Sequence, residues 1–266
     1  MNEPKERSYT LQVKGNVAMQ DMKDSFATNG IYTLFYKGHN VTKPELKEYI
    51  LEEKEVELKS LDANTTQLLA YVNKIGRIYS RQHICVNDDG VIKGLLNLTE
   101  IKNKWEILKK ELMQVNPINA FEIIRHKDRE LSNPAELIDN LAHTHFMYLF
   151  LYPKSGLPDL SGHKSRRIER DRMGIGFSLP IEQTFTAEKT ENGYRIHTEG
   201  VLDQKGRIDK VTITKVTGQK ELDIKHSTEA IHTYDQTGEL LSAEMSVIEQ
   251  LNSDYKAEIH LNLQTV

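Results

Sequence analysis

A chain of 266 residues exceeds the usual size of one hydrophobic core, so one large or two modest domains are expected. Its 38% hydrophobic and 28% charged residues exclude a disordered chain and favour a rather polar globular protein. Its 35 basic and 39 acidic residues give a net charge of −4, which provides no general attraction for nucleic acid or an anionic membrane.

Cysteine usage and apolar runs bear on the cellular compartment. The single cysteine, Cys85, excludes a disulfide within the chain and is expected to be a small buried side chain. Residues 1–8 lack the apolar segment of a secretion signal. The longest apolar run, Phe146 to Tyr152, is too short to span a membrane. We expect a cytoplasmic protein without a membrane span; a cell-envelope location is the alternative if a signal peptide has been removed.

The first part of the chain favours strands. Residues 9–15 alternate between polar and apolar and end at a glycine, and 31–36 are rich in aromatic and β-branched residues. Residues 45–61 fit either a strand or the start of a helix. Residues 62–64 can cap a short helix that continues through Leu68, Leu69 and Val72.

A group of helices follows. Asn97 is a good N-cap, and Glu100 completes a capping-box pattern. Pro117 ends that helix, a second is predicted over 118–131, and Asn133-Pro134 begins a third. Apolar residues recur every three or four positions in the first helix, which predicts a face packed on a sheet or another helix. That face comprises Leu98, Ile101, Trp105, Leu108, Leu112 and Val115.

The third helix leads into the most apolar segment of the chain, 145–152. If this segment were a strand, both of its faces would be apolar, so it belongs in a core or at an interface. The alternative is a ligand cavity lined by its aromatic side chains. Those candidate binding residues are Phe146, Tyr148, Phe150 and Tyr152.

Residues 153–176 are predicted to be a linker or loop because they are rich in proline, glycine and basic residues. Arg166, Arg167 and Arg170 are candidates for binding a phosphate or an acidic partner, since guanidinium groups bind both. Glu169 and Asp171 weaken the positive field of the run, however, which favours an exposed loop that does not bind nucleic acid.

Three turns share the pattern of Asn or Asp three residues before Gly: Asn87–Gly90, Asp203–Gly206 and Asp235–Gly238. This spacing is typical of a type I turn followed by a left-handed glycine in a hairpin. Hairpins in both halves predict antiparallel sheets, and the turns after residue 181 predict a C-terminal meander composed only of strands. The shared hairpin pattern also raises the possibility that the two halves are distant copies.

Motifs for catalysis and metal binding are missing from the sequence. There is no Gly-x-Ser-x-Gly elbow and no phosphate-binding glycine loop. Four histidines cluster between residues 126 and 163, but His143 and His145 would diverge on a helix. We therefore assign no catalytic residue, metal ligand or cofactor, although 39 acidic residues leave a catalytic carboxylate pair open.

The sequence thus predicts an α+β protein with half-barrel-like antiparallel sheets and a helical segment packed on them. The expected divisions are a mixed N-terminal domain (1–152), a linker (153–176) and an antiparallel C-terminal domain (177–266). The predicted function is a non-catalytic interaction or scaffold module, such as an adaptor in a larger bacterial assembly, with a protein partner or self-association. The alternative is a carrier that binds an apolar small molecule inside a curved sheet.

Overall fold

The computed structural model describes residues 5–20, 22–60, 72–115, 117–152, 162–219 and 221–266. Eleven strands within these ranges form one antiparallel sheet. The strands are β1 (Lys5–Met19), β2 (Met22–His39), β3 (Lys47–Ser60), β4 (Arg81–Val86), β5 (Ile92–Leu95), β6 (Lys164–Arg170), β7 (Ser178–Thr190), β8 (Gly193–Leu202), β9 (Lys225–Asp235), β10 (Leu240–Gln250) and β11 (Tyr255–Thr265). The labelled helices are α1 (Leu98–Val115), α2 (Pro117–Ser132), α3 (Pro134–Ala142), α4 (His145–Leu151) and α5 (Lys210–Thr217). The α+β class and the antiparallel sheet are confirmed.

The sheet is an open meander joined through its terminal strands. Its order is β5-β4-β3-β2-β1-β11-β10-β9-β8-β7-β6, so neighbours in the sheet are neighbours in the chain except where β1 meets β11. That pairing runs from Tyr9 opposite Thr265 to Met19 opposite Tyr255. The N-terminal and C-terminal parts therefore share one sheet, and their division into separate domains stays a prediction.

One face of the sheet, here called the inner face, carries the buried side chains. In β11 the alternation is regular: every second residue from Tyr255 to Leu263 is buried, as the sequence pattern predicts. Helix α4 lies on this face, and its residues Phe146–Phe150 belong to the same buried cluster as Tyr9, Leu11 and Leu263. Cys85 in β4 is buried with a free thiol, as expected.

Helices α1, α2 and α3 form a second core with one another. Trp105 is 1% exposed and its Nε1 donates a hydrogen bond to Asp128 at 2.7 Å. Ile101, Leu108 and Leu112 bury the rest of the predicted apolar face. The predicted helix starts are confirmed: the carbonyl of Asn97 accepts from Ile101, and the side chain of Asn133 caps α3 by accepting from the backbone of Glu136. The side chain of Asn97, however, accepts from the backbone of His83 in β4, so it does not form the predicted cap. None of the helices in the described ranges is long and apolar enough to cross a membrane.

The prediction that the first strand ends at Gly15 is wrong, and the second strand begins well before residue 31, where it was predicted to start. β1 continues through Gly15 to Met19, and β2 includes Gly30. A Cβ added to Gly15 would lie 2.4 Å from the ring of Phe26, and one on Gly30 would lie 2.6 Å from the ring of Tyr32. In both strands the glycine makes room for an aromatic ring, so it does not end the strand.

The C-terminal part is not composed only of strands. The sequence 210–217 is rich in Val, Ile and Thr, which favour strands. It nevertheless forms α5, because the side chain of Asp209 caps the helix by accepting from the backbone of Thr212, and Gly218 ends it in the left-handed conformation with φ of 71°. Capping at both ends outweighs the strand preference of the residues between.

Two of the three predicted hairpins are confirmed. Gly90 and Gly238 have φ of 75° and 81° and connect β4 to β5 and β9 to β10. The turn ending at Gly206 precedes α5 and connects no hairpin, and this glycine is not in the left-handed region. A Cβ there would lie 2.4 Å from Cβ of Pro180. Glycine is required at position 206 because Pro180 lies too close for a side chain, and not because the backbone has a positive φ.

The basic run is also not a loop. Residues Lys164–Arg170 form β6, paired with β7 from Lys164 opposite Thr184 to Arg170 opposite Ser178. Its side chains alternate between exposed and more buried positions, so charged residues point to both faces of the sheet. Residues 153–161 of the predicted linker and residues 62–71 of the predicted short helix lie outside the described residues. Val72, the last residue of that predicted helix, is helical, and residues 171–176 of the predicted linker form neither helix nor strand.

Replacing Trp105 by Ala is expected to lower the free energy of unfolding by about 3–5 kcal/mol, because a large side chain is lost from a packed core. Urea denaturation measures this change. Ile107→Ala, at a 63% exposed position of the same helix, is the control and should change stability by less than about 0.5 kcal/mol. Equal stabilities of the two variants would contradict the buried core between α1 and α2.

Gly206→Ala is expected to destabilise the protein by about 1–3 kcal/mol, because the added methyl group meets the stiff ring of Pro180. Gly94→Ala is the matched control, since its Cβ would lie 4.0 Å from Cβ of Cys85, an ordinary contact. Thermal denaturation of both variants tests the prediction. A Gly206→Ala protein as stable as Gly94→Ala would disprove the close approach.

Candidate functional site

Helix α4 turns two different aromatic pairs towards the two halves of the sheet. Phe146 and Phe150, one turn apart, face the N-terminal half. The ring of Phe146 lies 4.7 Å from that of Tyr32 and 5.8 Å from that of Tyr9, and the ring of Phe150 lies 5.6 Å from that of Tyr49. This side of α4 is apolar and part of the central core.

The opposite side of α4 carries hydroxyl groups. Tyr148 and Tyr152, also one turn apart, have ring centroids 5.5 Å apart. The hydroxyl of Tyr148 donates to Oε2 of Glu169 at 2.5 Å, and the hydroxyl of Tyr152 accepts from the amide of Gln183. The two tyrosines thus connect α4 to β6 and β7 through buried polar contacts.

Glu169 is the centre of this network. Its carboxylate is 1% exposed and lies 3.3 Å from Nε of Arg167 and 3.9 Å from Nη2 of Arg172. The amide of Gln183 donates to it at 3.4 Å. A buried carboxylate requires this number of partners, because removing it from water is costly unless opposite charge and hydrogen bonds replace the solvent.

Both arginines also lie over the tyrosine rings. The guanidinium of Arg172 is 3.8 Å from the centre of the Tyr148 ring, and that of Arg167 is 4.9 Å from the Tyr152 ring. Cation–π contacts in a desolvated site of this kind are favourable. Burial, together with the charge of Glu169, raises the pKa of Tyr148 well above its usual range. Tyr148 therefore stays protonated and remains a donor to Glu169.

A second buried pair continues the network inwards. Nδ1 of His226 lies 3.6 Å from Oε2 of Glu249, and Oε1 of Glu249 accepts from the backbone of Arg172 at 3.1 Å. Among the described residues, Nε of Arg172 and Oγ1 of Thr198 are buried without a hydrogen-bond partner. The inner face of the C-terminal half therefore contains charged groups where a simple core would be apolar.

A pocket of about 440 Å³ opens beside this network, and we call it the Arg167 pocket. It lies between α3, α4, the β4–β5 hairpin and strands β6 and β7. The side chain of Arg167 is 35% exposed, so it is the part of the charged network that reaches the pocket. The other lining residues include Gly90, Ile92, Ala135, Ile138, Ala142, Tyr148, Leu151, Tyr152, His163, Gln183 and Phe185.

The structure brings together only part of the predicted binding residues. Tyr148, Tyr152 and Arg167 line the Arg167 pocket, whereas Phe146 and Phe150 line two other pockets on the N-terminal side of α4. The other two arginines point elsewhere: Arg166 forms an ion pair with Asp203 at 3.1 Å, and Arg170 contacts Asp139 and Asn140 of α3. Strand alternation separates Arg166 from Arg167, which a loop prediction could not show.

Sequence analysis missed Glu169, Arg172 and Gln183 as members of the site. Glu169 appeared only as an acid that weakens the field of the basic run. The spacing of Arg167 and Glu169, two residues apart, places both on one face of a strand and was the available signal. Gln183 carries no signal of its own, because its role depends on pairing between β6 and β7.

The four clustered histidines do not converge. Nδ1 of His143 donates to the backbone carbonyl of Asp139 at 2.7 Å, and His163 stacks on Phe185. His145 begins α4 on the other side, and His126 lies on α2. Among the described residues, no group of three or more His, Cys, Asp or Glu side chains could hold a metal ion.

Comparisons with known proteins do not identify the chain. No family model and no curated protein matches it. DynF from the dynemicin biosynthesis pathway of Micromonospora chersina is 7% identical, with 98% of this chain and 81% of that chain covered and a TM-score of 0.24. The ywiB protein of Bacillus subtilis is 8% identical, with 100% and 96% covered and a TM-score of 0.15. Because both TM-scores are low, neither structure bears on the function of this chain.

Tyr148→Phe is expected to lower the free energy of unfolding by about 1.5–3 kcal/mol, because it removes a hydrogen bond donated to a buried carboxylate. Tyr36→Phe is the control: the Tyr36 hydroxyl makes no hydrogen bond within the described ranges, and the change should stay below about 0.5 kcal/mol. Chemical denaturation compares the two. Similar small effects would show that the Tyr148 hydroxyl does not stabilise Glu169.

Proposed function

We propose that the protein is a non-catalytic carrier that holds a small, mainly apolar molecule in the Arg167 pocket, with the sheet curved around α4 in a half-barrel-like manner. The observation that supports it most directly is a pocket with a largely apolar lining that also contains Arg167, with Asp89, Asp139 and His143 among its polar lining residues. Its volume of about 440 Å³ falls within the range of about 300–1,000 Å³ that small-molecule sites have.

The lining of the pocket supports an apolar ligand body. Ile138 and Ala142 of α3, Leu151 of α4, Ile92 of β5 and Phe185 of β7 face the same space. These side chains come from four different elements, so the pocket has apolar walls on several sides. Transfer of an apolar group from water into such surroundings is favourable by roughly 25 cal/mol per Å² of buried surface.

Arg167 supplies the polar anchor. Its Nε is engaged by Glu169, while its terminal nitrogens make no hydrogen bond with a described residue. A carbonyl or hydroxyl oxygen of a ligand fits these donors. The other charged groups of the network are engaged with one another beneath the pocket, which favours a role in positioning Arg167 over a role in acid–base catalysis.

The interaction or scaffold module remains a second candidate function. It is supported by large apolar side chains that are exposed on the helical pair: Ile107 of α1 is 63% exposed and Phe121 of α2 is 58% exposed. Exposed apolar side chains of this size occur at binding surfaces, although single ones are common on any protein. Either a partner protein or a second copy of this chain would cover these side chains. With a partner protein, the chain would act as an adaptor.

Ala135→Trp is designed to fill the Arg167 pocket, because Ala135 lines the pocket from an exposed position on α3. Native mass spectrometry of protein purified from its own host should show a bound small molecule on the unmodified chain and its loss from the variant. Val211→Trp, at an exposed position on α5 away from the pocket, is the matched control and should retain the molecule.

The outcomes separate the two candidate functions. A bound molecule that persists in Ala135→Trp would contradict the placement of the ligand in the Arg167 pocket. Protein free of any small molecule, but present as a complex or oligomer that Phe121→Ser dissociates, would favour the interaction module. Thermal denaturation of each variant checks that the fold is retained.

A further inference from the structure

A β-bulge in β3 turns a carboxylate towards the inner face of the N-terminal half. Ile31 pairs with Glu55 and the next residue, Tyr32, pairs with Glu53, so Lys54 is an extra residue in β3. The bulge breaks the strict alternation of the strand. As a result Glu53 faces the same side as its cross-strand partner Tyr32, which is packed against α4.

Glu53 lines a pocket of about 400 Å³ between β2, β3, β4, the helical turn at 72–79 and the start of α4; we call it the Glu53 pocket. Most of its walls are apolar, with Leu51, Val56, Leu58 and Phe146 among them. It lies on the opposite side of α4 from Tyr148 and Tyr152. The Glu53 pocket and the Arg167 pocket are therefore separate, sharing only His143 at their margins.

Gln82, which also lines this pocket, has a buried acceptor without a partner. The side chain of Gln82 is 7% exposed, and its Nε2 donates to the carbonyl of Tyr79 at 3.2 Å. Its Oε1 is buried and has no hydrogen-bond partner. Leaving a buried acceptor unsatisfied costs about 1–3 kcal/mol, so a donor brought by a ligand beside Gln82 would be stabilised there.

Glu53 is a second group without a partner. No hydrogen bond or ion pair joins its carboxylate to a described residue, and burial raises its pKa despite the opposing charge of Arg77. His145 does not supply positive charge, because burial and the charge of Arg172 lower its pKa to about 4. Arg77 also lines the pocket, but it makes no ion pair with Glu53. The pocket thus contains a carboxylate and an amide oxygen that accept hydrogen bonds and are not engaged by a described side chain.

We propose that the Glu53 pocket is a second ligand site, which binds a primary amine with an apolar body through the Glu53 carboxylate and Oε1 of Gln82. An ammonium group supplies three donors and a positive charge, which matches both acceptors. A neutral alcohol supplies one donor and no charge, and a carboxylate ligand would be repelled by Glu53. The inference stands independently of the carrier function proposed for the Arg167 pocket.

The test is isothermal titration of the full chain at neutral pH with n-octylamine, n-octanol and octanoate. Octylamine should bind at least about tenfold more tightly than either of the other two, since a charge-assisted hydrogen bond accounts for a difference of that order. Glu53→Gln should weaken octylamine binding by a similar factor. Glu55→Gln, at the exposed neighbouring position across the bulge, is the matched control and should bind octylamine as the unmodified chain does.

Two further variants exclude trivial explanations. Gln82→Leu removes the unsatisfied acceptor, so it should retain the fold and weaken octylamine binding even if Glu53→Gln proves unstable. Ala135→Trp fills the Arg167 pocket and should leave octylamine binding unchanged. The proposal is overturned if octylamine does not bind, if octanol or octanoate binds the Ala135→Trp variant as tightly as octylamine does, if both Glu53→Gln and Gln82→Leu bind octylamine normally, or if Ala135→Trp abolishes octylamine binding.

Discussion

The structure depends on burying α4 between the two halves of a single sheet. β1 and β11 pair along their length, which brings the inner faces of both halves under one short helix. A helix of seven residues is not stable alone, so its conformation is determined by the surfaces on either side. It carries two aromatic pairs, and the two members of each pair are one helical turn apart. One pair packs against each half of the sheet. Loss of α4 would therefore expose both halves at once.

The two sides of α4 make different physical demands. On the N-terminal side, Phe146 and Phe150 need only apolar contact with Tyr9, Tyr32 and Tyr49. On the C-terminal side, the tyrosine hydroxyl groups require partners: Glu169 accepts from Tyr148, and Gln183 donates to Tyr152. Networks of this kind are strongly favourable only when nearly every group is satisfied. The position of β6 relative to α4 is thus specified by hydrogen bonds, and the position of β2 by packing.

Local signals predicted the parts of the fold that local interactions determine. The cap at Asn133 and the left-handed glycines at Gly90 and Gly238 are each decided within about four residues. The β-branched segment 210–217 was misjudged because its caps outweigh its composition. The site was largely unpredictable for a related reason. Its groups come from segments that are distant in sequence, and no local pattern in β6 or β7 shows that their side chains meet under α4.

The same meander leads to opposite charge arrangements in the two halves. Glu169, on β6, is surrounded by Arg167, Arg172 and Gln183, so its charge is compensated by the protein itself. Glu53, placed inward by the bulge in β3, makes no ion pair with a described residue, and the charge of Arg77, which lines the same pocket, only partly offsets its desolvation. A compensated carboxylate stabilises the fold, whereas an uncompensated one reduces stability unless something else binds it. A cationic ligand would supply the missing partner, and this difference between the two carboxylates is the reason that different ligands are proposed for the two pockets.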